Sequence, residues 1–120
     1  LLVQNKPLTV FGNGEQTRDF VYAGDIAQAA AKAVALTGYN VINISTGKET
    51  SLNSLLEAFK SACGHELTVN YAPARSGDIF RSVLSNKKLE ALLGFVPQMD
   101  IEHGIPKTYN DYLARRKEGL

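Results

Sequence analysis

The sequence of 120 residues predicts an α/β fold. Short β-prone runs, Leu8-Thr9-Val10-Phe11 and Leu67-Thr68-Val69-Asn70-Tyr71, are interleaved with stretches of helical periodicity. The clearest of those stretches places Leu52, Leu55, Leu56 and Phe59 at i, i+3, i+4 and i+7. Glycines stand where the helical patterns stop, at Gly38, Gly64 and Gly94.

In chain order, Leu1 to Lys6 reads as the tail of a helix that Pro7 ends, because the residue before proline avoids the α region. Leu8 to Phe11 is a strand, and Gly12-Asn13-Gly14 is a tight turn. Phe20-Val21-Tyr22 reads as a second short strand. Asp25 caps a helix running to about Thr37, with Ile26, Ala29, Ala30 and Ala33 as its inner stripe and Val34 and Leu36 beside it. Val41 to Ile44 reads as a buried strand. Thr50 or Ser51 caps the next helix, which ends near Cys63, and a strand over 67–71 follows. Pro73 to Asp78 is a loop by composition, and Arg81-Ser82-Val83 a brief strand. Ser85 caps a short helix carrying Leu89, Leu92 and Leu93. Asp100 caps one turn over 101–103. Pro106 should break that pattern, leaving a last helix from about Ile105 to Lys117 with Tyr109, Tyr112 and Leu113 inward.

The length suits a single domain over 1–120, able to bury a real core. Thirteen basic and twelve acidic residues leave a net charge of +1, which excludes the basic face that general nucleic-acid binding requires. Lys87-Lys88 and Arg115-Arg116-Lys117 read as solvated helix faces. The single cysteine, Cys63, allows no internal disulfide and fits a reducing cytoplasm; it falls on an apolar helix face. No signal peptide is visible, and Ile26 to Leu36 is too short and polar to span a bilayer, so no membrane partner is expected. His and acidic spacings match no zinc or calcium loop, so no metal is expected; His65 reads as a solvated loop residue. No Gly-x-Ser-x-Gly motif is present, and no catalytic residue is assigned.

Anion recognition is the chemistry left. Arg18 and Arg75 lie in separate glycine-containing loops, and two guanidinium forks converging on a diphosphate would neutralise it with charge-assisted hydrogen bonds. The competing reading is structural: Arg18 pairs with Asp19 or Glu15, and Arg75 with Asp78, as surface ion pairs.

The run Gly12-Asn13-Gly14-Glu15-Gln16-Thr17-Arg18-Asp19-Phe20-Val21-Tyr22, followed by Asp25, resembles the C-terminal half of the extended short-chain dehydrogenase/reductases. These are the NAD-dependent nucleotide-sugar epimerases and dehydratases, UDP-glucose 4-epimerase among them. Pro73-Ala74-Arg75-Ser76-Gly77-Asp78 and Leu93-Gly94-Phe95-Val96-Pro97 match in the same order, so the resemblance covers nearly the whole chain.

The resemblance implies a UDP- or TDP-sugar as partner, with Arg18 and Arg75 on its diphosphate and Asp78 on the ribose hydroxyls. Leu8, Val10 and Phe11 would lie at the base. It also implies NAD as the cofactor of the full-length enzyme, held by an N-terminal Rossmann domain largely missing here. No Gly-x-x-Gly-x-x-Gly loop and no Tyr-x-x-x-Lys pair occurs in the 120 residues. The fragment is therefore expected to bind no cofactor and to turn nothing over alone. Residues 25–44, lacking their packing partner, would favour a homo-oligomer. The alternatives are a stand-alone nucleotide-binding or protein-interaction module, and a folded remnant that binds nothing.

Overall fold

The computed structural model describes residues 1–117, the Lys117 side chain excepted. A single 3-10 turn, Leu2–Gln4, stands where a helix tail was expected, and Asn5 closes it in the left-handed region at φ 51°. Strand β1 (Leu8–Phe11) pairs in parallel with β4 (Val69–Ala72), Leu8 opposite Val69 and Phe11 opposite Ala72. Strand β2 (Thr17–Arg18) pairs antiparallel with β3 (Thr50–Ser51). Helix α2 (Leu52–Cys63) packs against α4 (Ile101–Lys117), and α1 (Ala23–Ala33) against α3 (Lys87–Leu93).

Helix α2 follows the sequence closely. The Ser51 hydroxyl accepts from the Ser54 N–H at 3.0 Å, and Gly64 ends the helix at φ 71°. Its next orphan donors go to the glycine turn: Leu52 N–H to Gln16 O at 3.1 Å and Asn53 N–H to Gly14 O at 3.0 Å.

Other expectations are corrected. Phe20 to Tyr22 is not a strand; the pairing falls earlier, on Thr17 and Arg18, where β3 supplies a partner. Asp25 does not cap α1. It lies inside the first turn, 4% exposed, and its Oδ2 accepts from the backbone N–H groups of Gln98 (3.0 Å) and Met99 (2.9 Å). The inner face of α1 is narrower than the alanine stripe suggested: Ala29 is buried, whereas Ile26, Ala30 and Val34 are exposed. Val41 to Ile44 alternates outward and inward as a strand would, but pairs with no described residue in a ladder, and 81–83 is likewise irregular. In α3 the cap shifts from Ser85 to Asn86. Asp100 does cap α4, accepting from the His103 N–H at 3.0 Å. Pro106 sits inside one continuous helix rather than breaking it: near the N-terminus it removes a single ladder bond. Tyr109 and Leu113 are half-buried, but Tyr112 is 57% exposed.

The core is thinner than the chain length promised. Ala29, Leu89 and Phe95 form one buried cluster, with Ile42, Ile44 and Leu93 packed against it. A second apolar zone between β1, α2 and α4 is an open cleft of about 490 Å³ lined by Val10, Leu55, Leu56 and Phe59 among others. The molecule is a plate of 48 × 40 × 21 Å exposing 8165 Å². A compact monomer of this mass exposes roughly 6300 Å².

Candidate functional site

The glycine turn after β1 is built by its neighbours. Gly12 and Gly14 hold φ of 87° and 79°, a region that favours glycine. A Cβ on Gly14 would lie 2.0 Å from the Asn53 Oδ1. The Gln16 amide closes the turn by donating to Phe11 O at 2.7 Å. Asn53 donates to Asn13 O (3.1 Å) and Glu15 Oε1 (2.6 Å), and accepts from the Tyr71 hydroxyl (3.1 Å). The turn is thus clasped between α2 and β4.

The 73–80 segment lies against this turn. Gly12 N–H donates to Ala72 O at 2.9 Å, and Thr17 N–H to Phe80 O at 2.8 Å. Arg18 is half-buried, and its Nη1 donates to the carbonyls of Thr17 and Ile79, both at 2.7 Å. Arg75 is exposed, with its guanidinium carbon 3.7 Å from the centroid of the Phe11 ring. Asp78 is exposed, and its N–H reaches Arg75 O at 3.3 Å. Both arginines are therefore fastened to the same loop, Arg18 at its end and Arg75 within it.

Among the described residues, neither arginine makes an ion pair. Asp19 instead accepts from Thr46 N–H (3.0 Å), the Thr46 hydroxyl (2.6 Å) and Gly47 N–H (3.0 Å), and Glu15 is taken by Asn53. The surface ion pairs weighed from sequence do not form.

Leu8 and Val10 line the apolar cleft toward α2 and α4, Val10 being 6% exposed. Phe11 carries Arg75 on its ring. In the two-stranded sheet, β1 leaves one backbone edge without a ladder partner among the described residues.

Sequence reasoning missed a second polar joint. The Glu49 Oε1 accepts from the Thr17 hydroxyl and from Arg81 Nε, both at 2.9 Å, and Oε2 pairs with Arg81 Nη2. Arg81, then the Thr17 hydroxyl, hold the Glu49 carboxyl down to about 2. No local spacing announces this cluster, because its members are separated by more than thirty positions. His65 is exposed, its Nδ1 beside Glu66 O, and Cys63 is half-buried. No described group of three His, Cys, Asp or Glu residues could hold a metal, and no described helix is long and apolar enough to cross a membrane.

Comparison with known proteins places this geometry. The family described as GDP-mannose 4,6 dehydratase matches residues 1–108. A putative UDP-glucose 4-epimerase of Methanocaldococcus jannaschii is 41% identical over 110 residues, covering 91% of this chain and 35% of the relative. The UDP-N-acetylglucosamine 4-epimerase of Methanobrevibacter ruminantium, solved with UDP-N-acetylmuramic acid, superposes with a TM-score of 0.87 at 28% identity, over 95% of this chain and 37% of that one. The UDP-glucuronic acid 4-epimerase of Bacillus cereus, solved with UDP-glucuronic acid and NAD, gives 0.83 at 26% identity, over 95% and 37%. The chain spans about a third of the length of these relatives. The glycine turn, the arginine loop and the α/β frame that joins them thus sit in a C-terminal part of an epimerase/dehydratase fold, and the chain belongs to the NAD-dependent epimerase/dehydratase family of extended short-chain dehydrogenases/reductases.

Proposed function

We propose that this chain is the nucleotide-sugar-binding part of an NAD-dependent epimerase or dehydratase. Arg18 and Arg75 would take the diphosphate, Asp78 the ribose hydroxyls, and the β1 edge at Leu8, Val10 and Phe11 the base. The observation that carries the reading is that Arg18 Nη1 bonds the end of the loop that carries Arg75, whose guanidinium rests on the Phe11 ring, while neither arginine is paired with a carboxylate among the described residues. Relatives solved with UDP-sugars support the ligand class. With Val10 turned inward, base contact on this strand falls to backbone groups.

The described residues do not fit NAD. The turn after β1 leads into strand β2 rather than a helix, and the α2 N-terminus beside it spends its first N–H groups on Gln16 O, Gly14 O and the Ser51 hydroxyl rather than on a pyrophosphate. The sequence also lacks a Tyr-x-x-x-Lys pair. Binding without turnover is therefore the expected behaviour of the chain alone, and residues beyond it would supply the cofactor and the base.

Calorimetry with UDP-glucose tests the reading. Arg18→Ala and Arg75→Ala should each lower affinity roughly tenfold or more, the scale of a charge-assisted hydrogen bond. Equal affinity of both variants and wild type, or no binding by wild type at millimolar protein, would overturn it.

A further inference from the structure

We propose that Glu49 is a positioning residue for the anion site: it locks residues 79–81 against β2 and so sets the Arg75–Asp78 loop beside Arg18. The proposal rests on the diphosphate reading above.

Glu49 stands immediately before β3, with its side chain 22% exposed. One carboxylate spans two elements. It receives the Thr17 hydroxyl from β2 and both a guanidinium Nε and Nη2 from Arg81, three residues beyond Asp78. A forked guanidinium on a carboxylate fixes orientation as well as distance. Between these contacts, Thr17 N–H donates to Phe80 O at 2.8 Å and Arg18 Nη1 to Ile79 O at 2.7 Å. Residues 79–81 are thereby tied to β2 by one backbone hydrogen bond and by side chains, without a ladder among the described residues.

Apolar packing does not supply this attachment. Ile79 and Phe80 are 63% and 58% exposed. The loop they follow is exposed along its length and turns at Gly77 with φ 81°. A loop held by so little buried surface would have to be ordered by its ligand, at a cost to affinity. The Glu49 clasp orders it in advance. Lys48, Asp100 and Glu102 share the cleft that Glu49 lines, but the hydrogen bonds of its carboxylate go to Thr17 and Arg81.

The test combines amide hydrogen exchange with UDP-glucose calorimetry on the whole chain, using E49Q, R81K, R75A and the double variant E49Q/R75A. R81K keeps the charge at an exposed position but loses the fork, so it does not threaten folding. E49Q and R81K should each speed exchange of the Thr17 amide by roughly tenfold or more, the scale of one hydrogen bond to a charged group, while α2 amides keep their protection. Both should weaken UDP-glucose about tenfold, and E49Q should add little to R75A, because both act through one loop. If R75A weakens binding and E49Q and R81K do not, the positioning role is overturned. If wild type does not bind, or R75A binds as wild type does, the diphosphate reading fails. The clasp is then judged by exchange alone: faster Thr17 exchange in both variants supports it, and unchanged exchange refutes it.

Discussion

The Arg75 guanidinium rests on the face of the Phe11 ring, 3.7 Å from its centroid. The contact joins the end of β1 to the loop after β4 and holds a long, exposed side chain in place. Phe11→Leu keeps an apolar side chain but removes the ring. An exposed cation–π contact contributes about 0.5–1 kcal/mol. UDP-glucose affinity measured by calorimetry should fall roughly two- to fivefold, with little change in melting temperature. Unchanged affinity would mean that Arg75 needs no such support.

Gly14→Ala should destabilise the fold. The new Cβ would meet the Asn53 amide at 2.0 Å, and displacing that amide breaks its bonds to Asn13, Glu15 and Tyr71. With the φ of 79° added, a loss of roughly 1–3 kcal/mol is expected in urea unfolding. Gly38→Ala is the control: φ is 72° but nothing lies within 4 Å, so only the backbone term applies. Equal costs at the two positions would show that the Asn53 clasp contributes nothing.

Acid should weaken the fold through Glu49 and Asp100. Both carboxyls are held below their ordinary values, Glu49 at about 2 by Arg81 and Thr17, Asp100 by His103. A carboxyl with a lower pKa when folded binds fewer protons than the unfolded chain does. The Glu49 contribution is whole above its unfolded value near 4.5 and is lost as pH falls toward 2, and that of Asp100 is lost below its ordinary 3.8. Melting temperature followed from pH 7 downward should drop across that window. E49Q should flatten the drop, and an identical acid limb in E49Q would remove Glu49 from the account.

Self-association is the expected consequence of the exposed α1 face and of the 41–44 segment, which pairs with no described residue in a ladder. Val34 is 86% exposed and Val41 62%. Sedimentation at rising concentration should show a species heavier than 13.0 kDa, and Val34→Lys or Val41→Lys should shift it toward monomer. A wild-type monomer at crystallisation concentrations would refute this.

Local features were the legible ones. Ser51, the leucines of α2 and Gly64 announce that helix because a cap, a stripe and a stop act within a few residues. Strand β1 showed in its own alternation. Asp25 misled because a carboxylate before an alanine run has the composition of a cap. Only the fold reveals that it serves the backbone of Gln98 and Met99, more than seventy residues away. Phe20 to Tyr22 has higher β-propensity than Thr17-Arg18, yet β3 pairs with the latter. Arg18 and Arg75 were singled out by motif as diphosphate candidates. The Glu49–Arg81 pair has no motif, since its spacing is set by tertiary structure.

A thin plate also has an unusual thermodynamic profile. Unfolding exposes only what folding had hidden, and this chain already shows 8165 Å² to solvent. The denaturant slope and the heat-capacity increment both scale with newly exposed surface, so both should fall below those of a compact chain of equal length. Its transition should be broad, and its stability curve flat with temperature. Any molecule that covers either face of the folded plate would raise the apparent stability in proportion to the logarithm of its concentration.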